Sequence, residues 1–100
     1  MSGTEIRRLV TGRTGAWVTG DGRYSGSITY RPDGVIEATA SVLGAQMPVA
    51  GTWRVEGDRF CRTMRLDPTP TRCQRVVRAG GQVYRFLDED GSVAAVTTFR

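Results

Sequence analysis

One hundred residues, 39% of them apolar and 24% charged, suffice for one compact domain and lie well away from the composition of a disordered chain. The formal charge is +4, and every cationic side chain is arginine, because the sequence holds neither lysine nor histidine. No imidazole can act as a general base or metal ligand, and no lysine can form a Schiff base or cradle a phosphate, so the commonest routes to catalysis are excluded.

The first element predicted is a short helix. Ser2 is followed three positions later by Glu5, a capping box, and Ile6, Leu9 and Val10 form one apolar stripe before Gly12. The helix spans about residues 3–11. At that length it is marginal alone and must dock its stripe, which makes it a lid or plug on a sheet.

Past Thr14 the period changes from helical to alternating, and turn signals recur along the rest of the chain. A first strand covers residues 15–19. In residues 23–31, Tyr24, Gly26, Ile28 and Tyr30 share one face, and Pro32-Asp33-Gly34 then turns the chain. The return strand alternates Ile36, Ala38, Ala40 and Val42 with polar neighbours. A break is expected over residues 44–48. Beyond it Val49, Gly51, Trp53 and Val55 point inward, and Glu56-Gly57-Asp58 makes the next turn. The partner strand turns Phe60, Met64 and Leu66 inward and Arg59, Cys61, Thr63 and Arg65 outward, with Arg62 on the core side near a rim. Strands at 72–79 and 82–87 are joined by Gly80-Gly81, a strong hairpin signal, and a turn over residues 88–91 leads into a last strand at 92–99.

The expected fold is therefore mainly β and a single domain over residues 1–100. A β body from about residue 14 onward forms a seven- or eight-stranded antiparallel meander, either a small barrel or a strongly curled sheet, with one short N-terminal helix. No apolar run approaches the roughly 20 residues that a membrane-spanning helix needs.

Cys61 and Cys73 fit neither the redox C-x-x-C spacing nor a four-ligand zinc site. Each lies in a predicted strand beside the loop over residues 67–71, so a disulfide can tie that hairpin together. Oxidation implies an exported protein, and two free thiols imply a cytosolic one. Between residues 59 and 85 the chain carries seven arginines against one acid, Asp67. Arg59, Arg65, Arg72, Arg75 and Arg78 form the candidate basic face. Should the barrel hold a cavity, Tyr24, Tyr30, Trp53, Phe60, Met64 and Tyr84 are the inward residues suited to line it. Ser, Thr and Cys nucleophiles have no activating base, the Asp88-Glu89-Asp90 run reads as a solvated turn, and no calcium loop is present. No cofactor, no metal site and no catalytic residue are expected.

Two resemblances add to this reading. Gly51-x-Trp53 is similar to the G-x-W signature of lipocalin-like barrels, although in those families it lies near the first strand rather than mid-chain. More broadly, S-G-T-E-I-R-R-L-V-T-G-R-T at 2–14, Y-R-P-D-G at 30–34, G-T-W-R-V-E-G-D-R-F-C at 51–61 and C-Q-R-V-V at 73–77 resemble, in that order, a group of small exported bacterial domains of unknown function. The resemblance implies a helix followed by a β body, a cysteine pair at Cys61 and Cys73, and a periplasmic or secreted setting. It supplies no catalytic residue. The first residues lack the charged-then-apolar pattern of a leader, so export requires a leader removed ahead of Met1.

These observations favour a non-enzymatic exported domain that binds a small ligand or a protein partner through its β body. The alternative is a cytosolic small β-barrel that binds nucleic acid with the arginine-rich face, although no RNP-type motif or interleaved aromatic-basic run accompanies it.

Overall fold

A computed structural model describes residues 1–65 and 71–100. The chain opens with α1 (Gly3–Val10) and continues as β1 (Thr14–Thr19), β2 (Ser25–Tyr30), β3 (Val35–Val42), β4 (Ala45–Glu56), β5 (Arg59–Met64), β6 (Thr71–Gly80), β7 (Val83–Leu87) and β8 (Val93–Phe99). The strands pair antiparallel in chain order, and β8 returns to β1, so the eight-stranded sheet closes into a barrel. Gly15 carries the closure, facing Ile28 of β2 on one side and Phe99 of β8 on the other. Closure removes the free edges that an open meander would expose.

The helix forms as its sequence dictates. The Ser2 side chain accepts from the Glu5 amide and the Glu5 carboxylate accepts from the Ser2 amide, completing the box. The Ser2 amide, and less strongly the Ser2 hydroxyl, hold the Glu5 carboxyl below its ordinary pKa. Ile6, Leu9 and Val10 are buried, and α1 lies across one end of the barrel against β4 and β5. The Gly3 amide donates to Asp58 and the Arg7 guanidinium to the Val55 carbonyl, which fixes the plug to the β4–β5 turn.

Beneath the helix the interior is aromatic. Phe60, fully buried, has Tyr30 edge-on at 5.5 Å, Phe86 edge-on at 5.3 Å and Trp53 stacked at 6.2 Å between ring centroids. Tyr84 and Phe99 meet edge-on at 5.8 Å and extend the cluster around the wall. Such pairings add to what area burial alone contributes.

The half of the barrel away from the helix is built differently. Trp17 points inward over Gly26, its register partner on β2. Its indole N–H is shared between the Ser27 and Thr39 carbonyls, each at 3.1 Å. A side chain at Gly26 would collide with the Thr39 carbonyl, so glycine is required where β2 and β3 approach. The β3–β4 hairpin continues past this point as a short arm, with β3 paired to β2 as far as Ser41.

One sequence expectation is corrected here. Residues 45–48 are not a break, because β4 begins at Ala45 and pairs with β3 through Val42↔Ala45 and Ala40↔Met47. The turn is only Leu43-Gly44, with φ of 50° and 80°, the tight two-residue geometry that matches strand twist. Among the described residues, β4 pairs with β5 from Gly51↔Met64 onward, and Pro48 lies within β4 opposite Thr39 of β3. Leu66 and most of the expected 67–71 loop lie outside the described residues.

Candidate functional surfaces of the barrel

Strand register decides which of the candidate side chains can act together. Side chains alternate across a strand, and the buried face of β5 and β6 is fixed by Phe60↔Gln74. Arg62 and Arg72, partners in register, therefore share the inward face with Phe60, Met64, Gln74 and Val76. Arg59, Arg65 and Arg75 point outward, with Cys61 and Cys73 between them.

The expected basic face is accordingly not one surface. Arg72 and Arg75 are three residues apart and must lie on opposite sides of β6. Arg72 turns inward and pairs with Asp88 at 3.3 Å, only partly exposed. Arg78 falls in phase with Arg72 at the far end of β6, where its Nε donates to the Gly81 carbonyl. Only Arg59, Arg65 and Arg75 remain on a common outer face.

The candidate pocket residues also divide. Tyr30, Trp53, Phe60, Met64 and Tyr84 do come together, but as packing in and against the core rather than as the lining of a cavity. Trp53 is further tied down by its indole N–H, which donates to the Arg31 carbonyl at 3.0 Å. Tyr24 is not among them. It lies just before β2 begins and is 45% exposed, because alternation does not point a side chain inward outside the strand.

Two surface depressions stand out, and neither involves the aromatic cluster. One, of about 620 Å³, lies between the chain start and the outer wall, lined by Met1, Asp58, Arg59, Arg75, Val76 and Val77. The other, of about 280 Å³, lies at the opposite end, lined by Thr71, Arg72, Cys73, Asp88 and Glu89.

Sequence reasoning missed a polar layer above the aromatic one. Gln74 and Thr97 are each only 1% exposed. The Gln74 amide donates to Asp88 at 3.1 Å, and Thr97 lies close enough to the Tyr30 phenol to act on its ionisation. Burial pushes that phenol's pKa far above its ordinary value, against smaller opposing effects of Arg62 and Thr97. Gln74 could have been found by counting in twos from Val76; Asp88 could not, because it sits in a turn where period carries no information.

The cysteines are joined. Cys61 and Cys73 face each other directly across β5 and β6, 4.0 Å apart at Cα, on the outer side of the wall. A Glu56 carboxylate oxygen lies 3.6 Å from Cys61 Sγ, and Glu56 also pairs with Arg54 at 2.9 Å. These three groups are close enough to hold a cation, but the sulfur–sulfur bond ties up the thiolates that would bind one.

At the end away from the helix stand the large apolar side chains that remain exposed: Val18, Tyr24, Leu43, Met47 and Val93. On the arm the apolar residues continue the barrel's inward face, with Val42 opposite Ala45 and Ala40 opposite Met47, while Ser41 opposite Gln46 forms the polar side. Residues 43–48 are all exposed. Among the described residues no helix is long and apolar enough to cross a membrane. The chain matches no protein-family profile, no curated protein and no solved structure.

Proposed function

We propose that this chain is a non-enzymatic domain of an oxidising, exported compartment that binds a partner surface with the rim opposite its helix. The observation that carries the reading is the contrast between a filled interior and an apolar arm. Tyr30, Trp53 and Phe60 occupy the space a small ligand would need, whereas Leu43, the most exposed large apolar residue, stands at the tip of a projecting hairpin. Large exposed apolar groups gathered at one place mark contact surfaces more often than scattered ones do. The disulfide is consistent with export, where oxidation persists. The resemblance to small exported bacterial domains points the same way.

The nucleic-acid alternative has less support, because its five arginines divide between two faces and a rim. Two measurements test the proposal. Intact mass of the chain recovered from its native compartment is expected to show the loss of two hydrogens relative to the reduced form. Titration with long-chain fatty acids, followed by tryptophan emission, is expected to show no saturable one-to-one site. Free thiols in the recovered chain overturn the exported setting, and stoichiometric lipid uptake that protects the Phe60 cluster overturns the rim in favour of the interior.

A further inference from the structure

The outer side of the β4–β5–β6 wall carries a group of side chains that the rim does not use. Cys61 and Cys73 are partners in register, so two paired strands, and not the sulfur–sulfur bond alone, hold their α-carbons 4.0 Å apart. Glu56 reaches the same place from β4, with one carboxylate oxygen 3.6 Å from Cys61 Sγ. The two sulfurs and a Glu56 oxygen all lie within 4.8 Å of one another. Around an ion of the zinc class, with bonds of about 2.3 Å to sulfur and about 2.1 Å to oxygen, ligand atoms stand about 3.5–4 Å apart. The carboxylate is therefore already at ligand spacing from Cys61. Only the sulfurs have to separate, by rotation of two side chains on fixed strands.

Arg54 completes the arrangement. It faces Cys61 across β4 and β5, and its Nε pairs with the other Glu56 oxygen at 2.9 Å. That bond occupies one carboxylate oxygen and leaves the second toward sulfur, the part an outer partner plays for a metal-bound carboxylate. Two thiolates and a carboxylate leave a bound divalent ion with one negative charge in excess, and the guanidinium balances it. Access is one-sided. Cys61 is fully buried, whereas Glu56 is exposed and Cys73 is partly exposed, bordering the depression it shares with Thr71, Arg72, Asp88 and Glu89.

We infer that Cys61, Cys73 and Glu56 form a redox-gated site for a thiophilic divalent cation of the zinc class, closed by the disulfide and opened by its reduction. A dithiol reductant attacks Cys73 Sγ, the accessible sulfur. Its two thiol hydrogens pass to Cys61 and Cys73, and it leaves as a disulfide. The entering ion displaces both thiol protons to solvent and is held by two thiolates and the Glu56 carboxylate, with water in the fourth position. A disulfide oxidant reverses the sequence: it takes two electrons from the thiolates and two protons from solvent, leaves as two thiols, and the re-formed bond between Cys61 and Cys73 releases the ion. The site is independent of the rim opposite the helix and of what that rim meets.

The test is an anaerobic titration of the chain with cobalt(II), a spectroscopic stand-in for zinc, with the disulfide intact and after its reduction by a phosphine. Intact mass confirms each state. The reduced chain is expected to bind one ion with thiolate-to-cobalt charge-transfer absorption, and the oxidised chain none. Cys73→Ser should abolish the site, Glu56→Gln should weaken it about a hundredfold and Arg54→Gln about tenfold. Arg8→Gln, on the exposed face of the helix, should leave it near the parent value. Circular dichroism follows the fold. If reduction opens the barrel, refolding on addition of the ion supports the site, and a chain that stays unfolded overturns it. Absence of one-to-one binding by the reduced chain overturns the inference, as does equal binding by the oxidised chain. Binding indifferent to both Glu56→Gln and Arg54→Gln assigns the ion to two thiols alone and overturns the site as well.

Discussion

The two ends of this barrel are built on opposite principles. At the helix end, Ile6 and Val10 are fully buried and the aromatic rings of Tyr30, Trp53 and Phe60 close the space beneath them. At the other end the interior turns polar through Gln74, Asp88 and Thr97, and the apolar residues move outside onto the arm. Stability is concentrated in the first region, where large side chains surround one another. In the second, the large exposed apolar side chains lie outside that packing.

The largest test of that contrast compares truncation at the two ends. Phe60→Ala is expected to lose about 3–5 kcal/mol of unfolding free energy, since it removes a ring that touches three others in a fully enclosed site. Met47→Ala, on the arm, is expected to stay within about 0.5 kcal/mol of the parent. Denaturant unfolding followed by tryptophan emission measures both, and equal losses would erase the distinction between the ends. Next in size is the disulfide, which joins β5 to β6 across a separation of 12 residues. Replacing Cys61 and Cys73 together with serine is expected to cost about 3 kcal/mol, mostly by freeing the unfolded chain. Because the bond lies in the wall beside Phe60, its loss should add to that of the arm variants without interacting with them.

Tyr30 sharpens the comparison through pH, because it joins the aromatic layer to the polar one. Its buried phenol keeps its proton in the folded state well past the point, near pH 10, at which an unfolded tyrosine ionises. The folded state therefore binds more protons than the unfolded state above that pH. Stability should be indifferent to this group below about pH 10 and fall as pH rises further, by up to about 1.4 kcal/mol per pH unit. Tyr30→Phe should flatten that slope. Denaturant midpoints taken on either side of pH 10 decide it, and an unchanged slope in the variant would show that another group governs alkaline unfolding.

Much of the helix end was legible in the sequence. The capping box placed the helix within a residue of Gly3–Val10, the stripe of Ile6, Leu9 and Val10 identified its buried face, and alternation located the strands that surround it. Local pattern sufficed there because each element's period is uninterrupted. At the other end the same reasoning met its limits. The stretch 44–48 does not announce a strand, since Pro48 disfavours a central one, yet β4 runs through residues 45–48 opposite β3. Tyr24 read as inward because alternation was carried past the end of its strand. Grouping Arg72 with Arg75 ignored the period-2 rule that the sequence itself supplied. Trp17, by contrast, gave no local sign that its indole would bridge the carbonyls of two other strands, since that contact exists only after β1, β2 and β3 are assembled.

The smallest expected effect is also the most discriminating. Leu43 is fully exposed, so Leu43→Asn removes no packing, and asparagine accepts a positive φ more readily than leucine does. The substitution is expected to raise stability by about 0.5–1 kcal/mol, read as a higher denaturant midpoint with an unchanged slope. The same change removes the apolar tip from the rim proposed as the binding surface. A variant that folds better would show that leucine is held at this position against the preference of its own turn. A fall in stability would mean that Leu43 makes a contact within the fold, and the contrast between a packed end and an exposed end would then have to be redrawn at the arm.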